Sequence, residues 1–150
     1  MRDRNTLARL VAVACLVLQI AACQTFGTEG LIASSAPAEL PSATADTIAR
    51  DLAGKLVEHI GPGTGTILLA STEAPFASAL ESALQAKGYA VTRGGSAGEG
   101  ASIPLAYVVD RGDGEILVRL STKTLDLTRA YRETPTGAVP SSPVSIMRRG

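Results

Sequence analysis

Histidine and cysteine are scarce in this chain of 150 residues, which contains one histidine and two cysteines. A structural zinc site usually needs about four histidine or cysteine ligands, and a nucleophilic serine needs a neighbouring base, most often histidine. Because His59 is the only histidine, the sequence argues against a zinc centre and against serine-hydrolase chemistry. Cys15 and Cys23 both lie near the N-terminus, where export would remove or modify them, so we expect no disulfide in the mature protein.

Long apolar runs and an excess of one charge are also missing. The uncharged stretch from Leu10 to Ile20 has 11 residues, whereas a membrane-spanning helix needs about 20 apolar residues. The formal net charge is zero, from 14 basic and 14 acidic side chains, and removing residues 1–22 takes away three arginines and one aspartate. Binding to nucleic acid depends on clustered lysine and arginine, so we expect no direct nucleic-acid contact.

The N-terminus has the layout of a secretory signal peptide, because three arginines precede the uncharged stretch and small residues follow it. The sequence ending at Cys23 is similar to the lipobox of bacterial lipoproteins, which lipoprotein signal peptidase cuts just before a diacylated cysteine. We therefore predict that residues 1–22 are a signal peptide and that the mature chain begins at a lipidated Cys23. The residues that the peptidase would recognise are Ile20, Ala21 and Ala22.

Lipid on Cys23 would decide where the protein resides. Each buried lipid CH₂ contributes about 0.8 kcal/mol, so two or more acyl chains make release from a bilayer slow. Gln24 follows where an inner-membrane retention signal of enteric bacteria usually shows aspartate, which favours the outer membrane, with the domain facing the periplasm. The alternative is that Cys23 is an ordinary apolar residue in an uncleaved anchor or a simple secretory signal.

Residues 23–41 form the expected lipidated N-terminus and flexible linker, because Gly, Ala, Ser, Thr and Pro dominate this stretch without periodicity. Eighteen such residues, from Gln24 to Pro41, span about 60 Å at roughly 3.3 Å each. A pure spacer has no need of large apolar side chains, so part of the segment could order against a partner. The candidate docking residues are Phe26, Leu31 and Ile32.

The remaining residues, 42–150, suit a single domain with one core. Helical spacing of apolar residues predicts a helix from a cap at Ser42 or Thr44 to about His59. A second helix is expected to begin at Pro75 and to end before Gly88, with the apolar run 66–71 as a buried strand between the two.

After Gly88 the apolar period changes from 3.6 to 2, which predicts strands around residues 89–92, 103–109, 116–120 and 125–131. The sequence of residues 110–114, Asp-Arg-Gly-Asp-Gly, predicts a turn. Alternation also predicts that one face of the sheet is buried and the other polar. The order of elements indicates an α+β fold, with two helices packed on one face of a small, mainly antiparallel sheet.

Two glycine-rich stretches have the letters of catalytic or binding loops. Residues 94–98 match G-x-S-x-G around Ser96, but more glycine and then a strand follow the serine, where a nucleophile elbow needs a helix. Residues 61–66 run from helix to strand, the reverse of a phosphate-binding loop. The three carboxylates at the turn, Asp110, Asp113 and Glu115, match no calcium loop. We therefore predict no catalytic residue, no cofactor and no metal ligand.

Three segments resemble the TrbH family of conjugal-transfer lipoproteins: residues 60–67 (Ile-Gly-Pro-Gly-Thr-Gly-Thr-Ile), residues 103–108 (Ile-Pro-Leu-Ala-Tyr-Val) and residues 142–149 (Ser-Pro-Val-Ser-Ile-Met-Arg-Arg). The lipobox agrees as well. The resemblance spans about residues 44–150, and lipidation at Cys23 is the one family property that it assigns to a residue.

The resemblance implies a structural outer-membrane lipoprotein of a mating-pair formation apparatus, a type IV secretion system that moves plasmid DNA. Expected partners are other mating-pair formation proteins, in particular outer-membrane channel subunits, held through the segment 26–32 or an exposed sheet edge. Some sheet edges would be protected from pairing by prolines, at Pro104, Pro140 and Pro143. The sequence therefore does not decide which edge docks. The alternative function is a periplasmic lipoprotein that binds and regulates a cell-wall enzyme.

Overall fold

The computed structural model describes residues 34–36, 39–70, 74–94 and 102–149. These residues form two helices, α1 (Ser42–Ile60) and α2 (Pro75–Gln85), and seven strands. In chain order the strands are β1 (Thr66–Ala70), β2 (Ala90–Arg93), β3 (Ser102–Gly112), β4 (Glu115–Ser121), β5 (Leu125–Thr134), β6 (Gly137–Pro140) and β7 (Ser145–Arg148).

All seven strands belong to one sheet, in the order β2-β1-β3-β4-β5-β6, and β7 also pairs with β5. Strand β1 runs parallel to β2 and β3, while the pairs from β3 onward are antiparallel. Phe76 of α2 packs edge-on against Tyr107 of β3, with ring centroids 5.1 Å apart, and Asp51 of α1 accepts a hydrogen bond from Tyr131 of β5. Tyr107 and Tyr131 lie on the same sheet face by strand alternation and register. The predicted α+β fold is confirmed.

Both helices form because one stripe of each is apolar. In α1 the stripe is Ile48, Leu52 and Leu56, all buried, and in α2 it includes Leu80 and Leu84. Each helix thus buries one face against the sheet. Within the described residues, neither helix is long and apolar enough to span a bilayer.

The start of α1 differs from the prediction, because Ser42 is already helical and Pro41 occupies the N-cap position without a side-chain hydrogen bond. Thr44, the other predicted cap, contacts the sheet instead. Its hydroxyl lies 3.2 Å from the Gly137 carbonyl oxygen and 3.1 Å from Glu133 Oε1. The polar residues at the start of α1 therefore fix the helix onto the β5–β6 hairpin rather than cap it.

Residues 61–65 form a tight connection between α1 and β1, and their glycine content has a steric cause. A Cβ atom on Gly63 would lie 2.5 Å from the Lys87 carbonyl oxygen and 2.8 Å from the Tyr89 nitrogen. Tyr89 also donates a hydrogen bond from its hydroxyl to the Gly61 carbonyl. The loop after α1 is thus packed directly against the chain that leaves α2, which only glycine permits at position 63.

Part of the segment predicted as linker lies against the domain. Ser35 donates its N–H to the Tyr107 carbonyl and accepts from the Val109 N–H, at 3.0 and 2.9 Å. Ser34 Oγ accepts from the Tyr107 N–H at 3.0 Å, and Leu40 is buried in the core. Residues 34–36 thus extend the line of β1 along β3, where β1 has ended at Ala70. The folded unit therefore includes residues before Ser42.

The sheet face away from the helices is not purely polar, in contrast to the prediction. Ala106 and Ser121 pair on this face and are both buried, and Leu117 is exposed between polar neighbours. Because the Ala106–Ser121 pair is buried on this face, burial alternates less strictly along β3 and β4 than the sequence indicated.

The hydroxyl of Tyr107 is buried and has no hydrogen-bond partner in the described part of the chain. An unsatisfied buried hydroxyl costs about 1–3 kcal/mol. We therefore expect Tyr107→Phe to raise the free energy of unfolding by about 1 kcal/mol in urea titrations. The matched control is Tyr131→Phe, which removes a 2.6 Å hydrogen bond to Asp51 and is expected to lower it by about the same amount. Equal destabilisation by both variants would show that the Tyr107 hydroxyl is satisfied.

Candidate docking surface

Within the described ranges, no three histidine, cysteine, aspartate or glutamate side chains come together in a metal-binding arrangement. His59 lies in the last turn of α1. The turn between β3 and β4 is a two-residue hairpin loop, in which Asp113 and Gly114 have φ angles of 53° and 78°. The predicted turn is confirmed, and Asp113 and Gly114 have the positive φ angles of a type I′ loop.

The predicted lipidation and docking residues lie outside the described residues, and so does Ser96. The roles of these residues stay predictions. The residues are Cys23, the peptidase recognition residues Ile20, Ala21 and Ala22, and the docking candidates Phe26, Leu31 and Ile32.

Ser96 supplies a direct test of the hydrolase alternative. We expect Ser96→Ala to leave the biological activity of the protein unchanged, because a serine without a base is a poor nucleophile. The measurement is the activity of the variant in cells at an expression level matched to the parent. A large loss from a variant that still folds would reinstate the hydrolase hypothesis.

The sheet has two outer edges with different character. One edge is β2, a strand of four residues. Arg93 at its end points its guanidinium at Glu81 and Ser78 of α2 and donates hydrogen bonds to both. A short strand with a tethered charge is a common way to block unwanted pairing, so this edge is protected.

The other edge consists of β6 and β7, which run end to end along β5. Strand β6 pairs with residues 131–134 of β5, and β7 pairs with residues 125–128. From Pro140 to Ser145 the chain takes five residue steps, whereas β5 takes three steps between their partners Tyr131 and Thr128. We call residues 137–148 the edge strand, since they form one strand interrupted by a bulge that contains Pro143.

Exposed apolar side chains are concentrated on the edge strand. Among the described residues, four large apolar side chains are exposed, and three of them belong to this strand. They are Val139 (47% exposed), Ile146 (41%) and Met147 (63%), and the fourth, Leu117 (48%), lies on β4. Ile146 lies on the helix face of the sheet and Val139 and Met147 lie on the other face, so a partner along this edge would meet apolar side chains on both faces.

Charged and polar contacts hold the edge strand in place at both ends. Arg149 donates from Nε and Nη2 to the two carboxylate oxygens of Asp126, at 2.8 and 2.7 Å. Its backbone N–H also donates to the Thr124 carbonyl at 2.9 Å. Such paired hydrogen bonds are among the strongest that side chains make. Arg149 therefore has a structural role, because it fixes the C-terminal end of β7 to the start of β5.

The bulge of the edge strand is fixed by a second cluster that reaches helix α1. Arg129 donates from Nε to the Ser142 carbonyl at 2.9 Å and from Nη1 to the Asp51 carboxylate at 2.9 and 3.2 Å. Tyr131 donates to the same carboxylate at 2.6 Å. Burial, followed by the hydrogen bond to Asp51, raises the pKa of the Tyr131 hydroxyl. The phenol therefore remains a neutral donor to Asp51 at physiological pH.

A third contact ties the start of the edge strand to α1. Glu133 accepts from Arg111 Nη1 and from the Thr44 hydroxyl, both at 3.1 Å. The Arg111 hydrogen bond lowers the pKa of the Glu133 carboxyl, and the Thr44 hydroxyl lowers it further. A Cβ atom on Gly137 would lie 2.6 Å from Thr47 Oγ1, so the strand begins in close contact with the helix.

Sequence reasoning missed the edge strand because its apolar alternation is short and contains prolines. The available signal was the Thr-Pro-Thr-Gly sequence at residues 134–137, a turn pattern that precedes a second alternating segment. The ion pair between Asp51 and Arg129 joins residues 78 positions apart. No local pattern indicates such a contact.

Pro104 has a different position from the one expected. It lies in β3, in the interior of the sheet, and pairs with Leu68 of β1. Strand β4 pairs with β3 only from Ala106 onward. At Pro104 one side of β3 therefore has no strand neighbour within the described residues, which explains why a proline is tolerated there.

Comparisons with known proteins agree on one family. The sequence matches the family described as "Conjugal transfer protein TrbH" over residues 26–150. It is also 43% identical over 151 residues to the "Probable conjugal transfer protein TrbH" of Sinorhizobium fredii (strain NBRC 101917 / NGR234). That alignment covers 97% of this chain and 99% of the relative. No solved structure matches the chain significantly.

Proposed function

Because this chain belongs to the TrbH family of conjugal transfer proteins, we propose that it is a structural outer-membrane lipoprotein of a conjugative type IV secretion apparatus. In this role it anchors or stabilises the channel complex through which plasmid DNA passes. The observation that carries the proposal is the near full-length similarity to a conjugal transfer protein. The lipobox-like sequence before Cys23 supports the membrane anchor.

The proposed mechanism has three parts: a lipid on Cys23, a tether and a folded domain. Ser34 and Ser35 are bonded to β3, so 11 residues at most, 23–33, separate the proposed lipid from the sheet, and they can reach no further than about 36 Å at roughly 3.3 Å per residue. This length is shorter than the roughly 60 Å expected for a tether that ends at Pro41. The domain is therefore held within a limited distance of the lipid surface.

The proposed partners are other mating-pair formation proteins, in particular outer-membrane channel subunits. Exposed apolar side chains on the edge strand support a protein contact. A mature net charge near −2, after loss of three arginines and one aspartate from a neutral chain, supports a role without direct DNA contact. The protein then has a structural role in plasmid transfer and catalyses no reaction.

The test is a crosslinking pull-down of the intact lipoprotein from envelopes of donor cells, with bound proteins identified by mass spectrometry. A second outer-membrane lipoprotein with the same tag, expressed to the same level, is the control. We expect channel subunits with this protein and not with the control. Recovery of cell-wall enzymes alone would instead support the regulator of a cell-wall enzyme and would refute the channel role.

A further inference from the structure

Backbone groups of β7 point toward the free side of the sheet. Just beyond the two strands, the Arg149 N–H donates to the carbonyl of Thr124, the residue before β5. Strands β5 and β7 are antiparallel in a register that pairs Ile146 with Leu127 and Arg148 with Leu125. In an antiparallel pair, hydrogen-bonded and non-hydrogen-bonded residue pairs alternate. Ile146 and Arg148 therefore direct their N–H and C=O groups away from β5, toward the open edge.

The β6 half of the edge strand is closed to pairing. The Ser141 N–H donates to the Ala130 carbonyl, so by the same alternation residue 140 faces outward. This residue is Pro140, which has no N–H to offer a further strand. A proline at an outward position blocks addition at β6. Of the two halves of the edge strand, β7 is the one that keeps a full set of outward donors and acceptors.

The protein pairs β7 with β5 along its whole length, although the strand adds little to the core. All four β7 residues are exposed, yet the two hydrogen bonds between Arg149 and Asp126 fix the strand at its C-terminal end. If β7 had no further role, it could detach from β5 without reducing the packing of the core. Because binding is stronger when the binding conformation already exists, this arrangement favours a partner that adds to the edge.

Charge indicates what kind of segment fits. Residues 134–149 contain no acidic side chain, and because Asp126 neutralises Arg149, Arg148 carries the positive charge of this edge. The side chain of Arg148 is exposed, and it stands beside the exposed apolar residues Ile146 and Met147. A segment that carries both apolar and acidic residues would complement this edge, whereas a basic one would be repelled.

We propose that the free edge of β7 binds an extended, acidic segment of another transfer protein, which joins the sheet as an additional strand. Backbone hydrogen bonds to Ile146 and Arg148 pair the partner strand with β7. The side chains of Met147 and Arg148 determine which partner side chains fit. This inference rests on the proposed function, because it names the contact through which the anchored domain joins the channel. A strand of four residues binds weakly alone, and membrane anchoring raises the effective concentration of the partner.

The first experiment locates the contact by photo-crosslinking in donor cells. A photoreactive phenylalanine analogue replaces Met147 in the full lipoprotein, and the control replaces Leu117, which has a similar apolar exposure but lies inside the sheet on β4. We expect an adduct from position 147 at least about fivefold stronger than from position 117, in line with contact at one edge only. Mass spectrometry should identify the crosslinked peptide as an acidic segment of another transfer protein.

The second experiment separates backbone pairing from side-chain contact. Ile146→Pro removes an outward N–H, while Ile146→Ala removes the same side chain and keeps the N–H. We expect the proline variant to reduce the adduct about tenfold and the alanine variant to reduce it less than about threefold. Arg148→Glu should also reduce the adduct, whereas Arg132→Glu, at an exposed residue of β5, should not. Thermal unfolding shows that each variant is folded.

The results of the crosslinking and the pull-down distinguish the proposed β7 contact from the proposed function. An adduct between two copies of this chain would replace the heterologous partner by self-association and overturn the proposal. Equal losses with Ile146→Pro and Ile146→Ala would refute strand addition. Recovery of channel subunits in the pull-down without an adduct at position 147 would overturn the β7 contact and leave the proposed function in place. A pull-down without any transfer protein would refute the proposed function itself.

Discussion

Cys23→Ser is expected to prevent lipidation and to lower the frequency of plasmid transfer by about tenfold or more. The reason is the loss of effective concentration, since a tether of limited length confines the domain near its membrane-bound partners, and anchoring of this kind raises apparent affinity by about 10²–10⁴. The measurements are incorporation of labelled palmitate, membrane fractionation and the number of transconjugants per donor.

Cys15→Ser is the matched control for this prediction. Cys15 lies in the uncharged stretch of the predicted signal peptide and would be discarded on cleavage. We expect this variant to incorporate palmitate and to transfer plasmid at the parental frequency. Normal transfer by a Cys23→Ser protein that demonstrably lacks lipid would refute the anchoring mechanism, and label on the Cys23→Ser protein would refute the assignment of the lipidated residue.

Asp51→Ala is expected to cause the largest loss of stability of any variant considered. The substitution leaves the Arg129 guanidinium without its counter-ion and the Tyr131 hydroxyl without its acceptor. Removal of one partner from a buried ion pair costs about 3–5 kcal/mol, and the Asp51–Arg129 pair keeps some exposure, so we expect about 2–3 kcal/mol. For a domain of this size, such a loss lowers the melting temperature by about 10 °C.

The control for Asp51→Ala is Glu58→Ala on the same helix. Glu58 also forms an ion pair, with Lys55 at 2.9 Å, but this pair is at the surface. Exposed pairs contribute about 0–1 kcal/mol, so we expect a change within about 0.5 kcal/mol. Urea and thermal unfolding of the mature chain provide both values. If the two variants lost equal stability, the cluster around Asp51 would have no special role in holding the helix to the sheet.

The Asp51 cluster also connects core stability to the edge strand. Arg129 contacts Asp51 through Nη1 and the bulge of the edge strand through Nε. Loss of Asp51 therefore frees the side chain that fixes the chain between β6 and β7. We infer that the helix layer and the exposed edge are energetically coupled through this one arginine, since residues in one hydrogen-bond network rarely act independently.

Local sequence patterns predicted the elements that depend on nearby residues. The apolar stripe at Ile48, Leu52 and Leu56 predicted α1, and Pro75 predicted the start of α2. Alternation predicted strands β2 to β5, and the Asp-Gly pair at 113–114 predicted the hairpin turn. These predictions succeeded because helical and strand periodicity and turn chemistry act over fewer than ten residues.

Other features were decided only by the tertiary structure. The pairing of Ser35 with β3, the alignment of β6 and β7 on one strand, and the outward direction of Ile146 and Arg148 all depend on register between distant segments. The sequence by itself determined the helices, most strands, the turn and the scarcity of groups for catalysis. The tertiary structure decided which edge is open and where the tether ends, because long-range pairing joins backbone groups that no local pattern distinguishes.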